Sequence, residues 1–320
     1  MDVTFNPHLS NSLFFRPEQM YGENRKIFEE LPHIVKGNIY FLAERRKVRV
    51  LPSSIGLSDD GYISASFTLE DSLAIPAKFP FAPTIIQLGT KFLEVYGNAN
   101  TLQQYVVGVK NQAEYYARQK SKSDRPLIGV SLDAEAQNKT NIALCLHTPD
   151  GQVGKLPFSV HSILSSFEID IGDHPLVLYI GKSENFKDRI YRHEKIQQAL
   201  STIDDDSDLY LYAFQFDTNK YTRSYLPDKT LVLRRDYEND ITAEYQLAIV
   251  EMCLINYFKP RLNKDYKNCE IPLNPVYQAA LKGRYNQVVL EVDHDAGFWN
   301  FGTEHIVAKL RHQIQYPVHG

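Results

Sequence analysis

The run Leu178-Tyr179-Ile180-Gly181-Lys182 decides how this chain is read, together with four residues that follow it: Arg189, His193, Glu251 and Asn263. Its branched and aromatic residues predict a strand that ends at the Gly181 turn. Arg189 comes ten residues after Tyr179 and His193 four later, a spacing that makes them neighbours on one helix face. Ser183 can cap that helix, so a strand end carrying Tyr179 and Lys182 leads into helix amides that favour an anion such as phosphate. Further on, QLAIVEMCLINYF (246–258) predicts a long helix from about Thr242 that Pro260 halts. Glu251 is the single charge of that thirteen-residue run, and Leu247, Val250, Leu254 and Phe258 mark the buried side of the helix. A carboxylate among such neighbours needs a cation or hydrogen bonds to offset its desolvation. Asn263, twelve residues on, can reach back toward the same place with its amide.

In order and spacing, Tyr179-Ile180-Gly181, Arg189, His193, Glu251 and the KPRLN run ending at Asn263 resemble the GIY-YIG nuclease superfamily. The resemblance covers about a third of the chain, roughly residues 156–263. It implies a hydrolase of nucleic-acid phosphodiesters, assisted by one divalent metal ion, Mg²⁺ or Mn²⁺, with Glu251 as the protein ligand. Tyr179 would then orient or deprotonate the attacking water and His193 would accept the proton, the choice of base between them staying open. Arg189 would clamp the phosphate, Lys182, Lys187 and Arg192 would contact the substrate, and Asn263 would hold Glu251 or the backbone in place. The family's first tyrosine strand should fall on SSFEIDI (165–171), where Phe167 is the nearest analogue. A metal-dependent endonuclease acting on double-stranded DNA, of a restriction or phage-defence kind, is the expectation. A scaffold that lost turnover with that tyrosine and only binds or regulates nucleic acid is the alternative, and a homodimer that cuts both strands stays open.

The expected fold class is α+β. A small GIY-YIG-like α/β sandwich over 156–265, a three-stranded mixed sheet flanked by helices, follows a β-rich N-terminal domain over 1–155. Residues 266–320 form a C-terminal extension packing on the nuclease domain. In the first region Ile63, Ala65, Phe67 and Leu69 alternate onto one face, and PLIGVSL and NIALCLH read as strands. A helix follows Asn100 or Thr101, with Leu102, Val106 and Val109 in its apolar stripe. In the second region TLVLRRDY reads as an extra strand or a DNA-contacting loop. Near the end NQVVLEV is a short branched run and HIVAKLRHQI is helix-like, while Trp299 in GFWNFG reads as core.

The 320 residues carry 35 Lys plus Arg against 39 Asp plus Glu, a formal charge of −4 that excludes the global basic field of a nucleic-acid coat. A polyanion has to be gripped locally, and the basic runs ERRKVRV and RQKSKSDR are candidates for that as well as ordinary solvated surfaces. Cys145, Cys253 and Cys269 form no C-x-x-C pair, which leaves no disulfide framework or cysteine zinc site and suggests a reducing, cytoplasmic setting. No histidine has metal spacing of the H-E-x-x-H kind. The N-terminus has no basic stretch ahead of an apolar core and no run is long enough to span a bilayer, so no membrane partner is expected.

Overall fold

The computed structural model describes residues 2–17, 38–59, 61–69, 73–80, 129–147, 153–183, 194–236, 240–293 and 300–318. It is α+β, and its contacts divide the chain into two units: Met1–Arg45 with His174–Gly320, and Arg46–Asp173. These cuts differ from the expected ones near 155 and 265, because the first strands of the chain pair with strands from its second half. The second unit is thus an insertion in the sequence of the first.

The first unit is built on a mixed seven-stranded sheet. Its strands are β1 (Asp2–Phe15), β2 (Ile39–Arg46), β10 (Leu176–Lys182), β11 (Ser207–Tyr225), β12 (Leu231–Asp236), β13 (Gln287–Asp293) and β14 (Arg311–Pro317). They lie in the order β10-β2-β11-β1-β13-β14, with β12 also paired to β11. The sheet is mixed, as expected, but has seven strands where three were expected. β1 runs antiparallel to β11 from Asp2↔Arg223 to Phe15↔Leu211, with a bulge at Ser10, and parallel to β13 at Thr4, Phe5 and His8.

One face of this sheet carries Phe41, which meets Phe214, Phe258 and Phe301 at ring separations of 4.8, 5.6 and 5.4 Å. The period of two along β2 sends Tyr40 and Leu42 to the opposite face, where they join Leu178, Leu209, Leu211, Ile196 and Ala199 in a second buried cluster. Ile196 and Ala199 belong to helix α2 (Glu194–Leu200), and Phe258 ends helix α3 (Ala243–Phe258), so a helix covers each face. α3 starts where the sequence indicates: Thr242 accepts a hydrogen bond from the amide of Tyr245, and Lys259 closes the helix in the left-handed region (φ 50°) just before Pro260. A short helix α4 (Pro275–Leu281), capped by Asn274, follows. The helix expected from Asn185 begins outside the described residues, as do the one after Thr101 and Trp299.

The HIVAKLRHQI segment is not a helix. From Arg311 it pairs antiparallel to β13, and strand periodicity then buries His312 and Ile314 while Arg311, Gln313 and Gln315 face solvent. The open edge of β13 offered ladder bonds that outweighed a weak helical pattern.

The second unit holds two sheets. β3 (Val48–Val50), β4 (Gly56–Leu57), β5 (Ile63–Leu69) and β6 (Ile75–Phe79) form one, and β7 (Gly129–Leu132), β8 (Asn141–His147) and β9 (Val153–Ser159) the other. Ile63, Ala65, Phe67 and Leu69 of β5 all point inward, as their alternation predicts. The amide of Val50 donates to Lys139 O at 2.9 Å and that of Val160 to Thr140 O at 2.9 Å, which ties strands and helix α1 (Val160–Ser166) together. SSFEIDI is not the expected strand. The amides of Phe167 and Ile169 bond back to Ile163 and Leu164, Glu168 takes the left-handed turn (φ 53°), and the stretch is thus the end of α1. Phe167 packs on Phe79 at 4.7 Å, inside this unit.

His312 joins β14, α3 and the 300–303 segment. It is 1% exposed, its Nε2–H donates to Phe301 O at 3.0 Å, and its Nδ1 accepts from the Tyr257 hydroxyl at 3.1 Å. Burial pushes its pKa down to about 4 from 6.5. The unfolded ring binds its proton as the pH falls through 6.5 and the folded ring only near 4, so this contribution is complete above pH 6.5 and is lost between those values. We expect a loss of about 3 kcal/mol across that window. Urea unfolding at pH 7.5, 5.5 and 4.5 should show it, and His312→Gln should flatten the dependence; an unchanged slope in the variant would assign it to other groups.

Candidate active site

β10 lies at one edge of the sheet. Its inner side pairs antiparallel with β2, placing Tyr179 opposite Leu42, Ile180 opposite Phe41, Gly181 opposite Tyr40 and Lys182 opposite Ile39. The outer side of an edge strand presents backbone groups that need partners when they are buried. Here they are met one after another. The amide of Val177 donates to Gly302 O at 2.8 Å, and Leu178 O accepts from the amide of Leu262 at 2.9 Å. Ile180 is served by the side chain of Asn263, whose Oδ1 accepts from its amide at 2.9 Å while Nδ2 donates to its carbonyl at 2.8 Å. Finally the amide of Lys182 donates to Glu251 Oε1 at 3.1 Å.

The resulting arrangement accounts for Asn263 and Glu251. Asn263 is 8% exposed and acts as a short piece of neighbouring strand, fixing the chain after α3 against the Tyr179–Gly181 segment. Of the two roles expected for it, holding the backbone is the one its hydrogen bonds serve. Glu251 projects from the middle of α3, its side chain 15% exposed, with Oε2 at 3.7 Å from Lys182 Nζ. The separation is that of an ion pair and exceeds a hydrogen bond. Among the described residues the Lys182 amide and ammonium stabilise the anion, compensation of the kind that its apolar surroundings demand.

On the other side of the strand, Tyr179 meets a tyrosine that the motif reading did not single out. Tyr40 is 1% exposed, and its ring lies 6.0 Å from that of Tyr179. Both crowd Gly181: a Cβ there would run into the Tyr40 hydroxyl and come within 2.8 Å of Cε1 of Tyr179. The glycine is needed for this close approach, since its φ is not in the left-handed region. The signal available in the sequence was Gly37-Asn38-Ile39-Tyr40, far upstream of Tyr179. Asn38 is part of the same construction. Its carbonyl accepts from the amide of Ser183 at 2.9 Å, and its side chain bonds both the amide and the carbonyl of Phe216.

Tyr266 is a second addition, held by backbone geometry. It sits in the left-handed region (φ 64°), its carbonyl accepting from Asn256 Nδ2 at 2.8 Å, while Asn256 Oδ1 accepts from the Tyr316 hydroxyl at 2.6 Å. Burial, then the Glu251 charge, raises the pKa of its phenol and keeps it a proton donor near neutrality.

Of the expected site residues, the structure thus collects Tyr179, Lys182, Glu251 and Asn263 around four consecutive positions of β10. Lys187, Arg189, Arg192 and His193 lie outside the described residues.

Two substitutions test this construction. Gly181→Ala should cost about 1–3 kcal/mol because the buried Tyr40 ring has no room to withdraw. Asn263→Ala should cost about 1–3 kcal/mol for each Ile180 group left without a partner. Urea unfolding measures both, and a change under 0.5 kcal/mol (roughly the effect of an ordinary surface substitution) would contradict the packing described. Compared with known proteins, the chain matches no family model, no curated protein and no solved structure.

Proposed function

We propose that this chain is a metal-dependent endonuclease of GIY-YIG type that hydrolyses phosphodiester bonds in double-stranded DNA. The observation that carries the reading is the pairing of β2 with β10, which sets Tyr40 against Gly181 and beside Tyr179. Gly37-Asn38-Ile39-Tyr40 supplies the first tyrosine half of the resemblance, on the strand next to Tyr179-Ile180-Gly181 and not on SSFEIDI. The nuclease module, in this reading, is the β10-β2-β11 part of the sheet with α2 and α3, and the unit over Arg46–Asp173 is inserted between its two motif strands. The reading of a degenerate scaffold rested on Phe167 replacing that tyrosine; in the present reading Tyr40 takes that place instead.

The donor set at Glu251 suits a hydrated Mg²⁺, which accepts a single carboxylate and takes its other ligands from water and phosphate. When bound there, such an ion neutralises charge on the phosphate and on the departing oxygen. The chain's own residues do the rest. Tyr179 orients the attacking water, with Tyr40 packed beside it at Gly181, and Tyr179 and His193 are the alternative bases. Lys182, only loosely paired with Glu251, offers its ammonium to a non-bridging oxygen, and Arg189 grips the phosphate through its planar fork. Ile180, locked by Asn263, keeps the strand end in register with both helices.

Incubation of supercoiled plasmid with the wild type, Glu251→Gln and Tyr40→Phe in Mg²⁺, Mn²⁺ and EDTA tests this. Glu251→Gln keeps an acceptor for the Lys182 amide, so its fold should survive while nicking disappears. Tyr40→Phe should slow nicking by roughly 10²-fold or more, the range typical of a lost proton-transfer or water-positioning group. Equal nicking by Glu251→Gln would sink the proposal.

A further inference from the structure

The hairpin made by the end of β11 and by β12 has no part in the site so far described. β1 occupies one edge of β11 from Leu211 to Arg223, so β2 and β12 share the other: β2 starts at the level of Phe214, and β12 joins from Lys220 onward. The start of β2 is also level with Lys182 and Ser183, where β10 ends. β11 runs on from Phe216 to Tyr225, roughly 30 Å at 3.3 Å per residue. The hairpin therefore rises past the end of the sheet that carries Lys182 and Glu251, on the side of β11 facing β10. Its root is fixed to the Glu251 helix, since the Thr218 hydroxyl donates to Gln246 Oε1 at 2.7 Å. Its tip is a tight turn in which the Thr230 amide donates to Asp228 Oδ1 at 2.9 Å and Lys229 takes a left-handed conformation (φ 69°).

The surface of this arm is locally basic. Residues 218–236 hold five basic side chains and two acids, in a protein of formal charge −4. Lys220 and Arg223 pair with Asp240 and Asp2, and Arg234 and Arg235 lie on a strand of which every residue but Val232 is exposed. Register pairs Tyr221 with Arg235 and Tyr225 with Leu231, and the Arg235 guanidinium lies 6.0 Å from the Tyr221 ring centre. Tyr225 and Leu233 are each 66% exposed. An exposed sheet edge bearing arginines beside tyrosine and leucine side chains suits duplex nucleic acid: its cations meet phosphates, and its apolar groups meet sugars.

We infer that the β11–β12 arm is a second nucleic-acid contact, gripping duplex DNA beside the point of cleavage through Arg234 and Arg235. The inference rests on the nuclease reading for the position of the cut, and the arm's own binding is measured without cleavage. Full-length Glu251→Gln protein is titrated against a fluorescein-labelled 30-base-pair duplex of mixed sequence, followed by anisotropy at several NaCl concentrations. Adding Arg234→Ala and Arg235→Ala should weaken binding at least tenfold at 100 mM NaCl and lower the salt slope by about two (roughly one for each phosphate no longer neutralised). Replacing both arginines by lysine should retain most of the affinity, and thermal unfolding should be unchanged in both variants. These results hold for the arm even if the wild type nicks no plasmid, in which case only the nuclease reading fails. Binding within twofold of the parent with the same salt slope, alongside a wild type that does cut, overturns the arm alone. Sedimentation as a dimer that Leu231→Ser with Leu233→Ser dissociates, with DNA affinity unaffected, also overturns it and assigns the surface to a second copy of the chain.

Discussion

The outer edge of β10 is the constraint around which the first unit is arranged. An edge strand that is buried must find partners for its outward amides and carbonyls, and this one finds them in the 302 segment, in Leu262 and Asn263, and in Glu251. Each partner brings its own element with it. Gly302 carries Phe301 into the aromatic core, Asn263 fixes the exit from α3, and Glu251 sets the rotation of α3 about its axis. The carboxylate nearest the proposed chemistry is thereby also the last hydrogen-bond acceptor of the strand. This double use explains how an anion can persist on an apolar helix: the amide and ammonium of one residue, Lys182, offset its desolvation.

Gly181 is the corresponding constraint on the opposite side. Two tyrosine rings from neighbouring strands occupy the space where a side chain would stand, and only a residue without a Cβ admits both. The polar network on the α3 side and the tyrosine pair on the α2 side therefore meet at a single point of one strand. Positioning on a strand clamped at both edges gives the rigidity that a site of this kind requires. The wide sheet extends this support, for β11 continues past the site, braced by β1 from Leu211 to Arg223, and carries the arm with it.

Much of this was legible in local pattern. The period of two in β5, the strand over Leu178–Gly181, the start of α3 near Thr242 with its Pro260 stop, and the isolation of Glu251 among apolar residues all survive in the structure, because each depends on neighbours a few residues away. Asn263 was identified by spacing, though its backbone-mimicking pair of bonds with Ile180 could not be deduced. β1 was not read as a strand; its place in the sheet comes from thirteen ladder partners on β11 rather than from its own propensity.

What the sequence by itself determined is the class and the chemistry it carries: an α+β chain with a strand-borne tyrosine, a helix carboxylate among apolar residues and an arginine-bearing TLVLRRDY segment. What only the tertiary structure decided is which strand lies beside Tyr179. The reading by proximity chose the segment just upstream, whereas pairing joined Tyr40 and Gly181 across the whole Arg46–Asp173 insertion. The cause is physical. Strand partners are selected by register and by the side chains each face must bury, and Phe41 and Tyr40 satisfy both faces of the sheet at once, while the Phe167 segment is taken up in closing α1. Separation along the chain adds only a slowly growing loop entropy, so a long insertion leaves the pairing of its flanking strands intact.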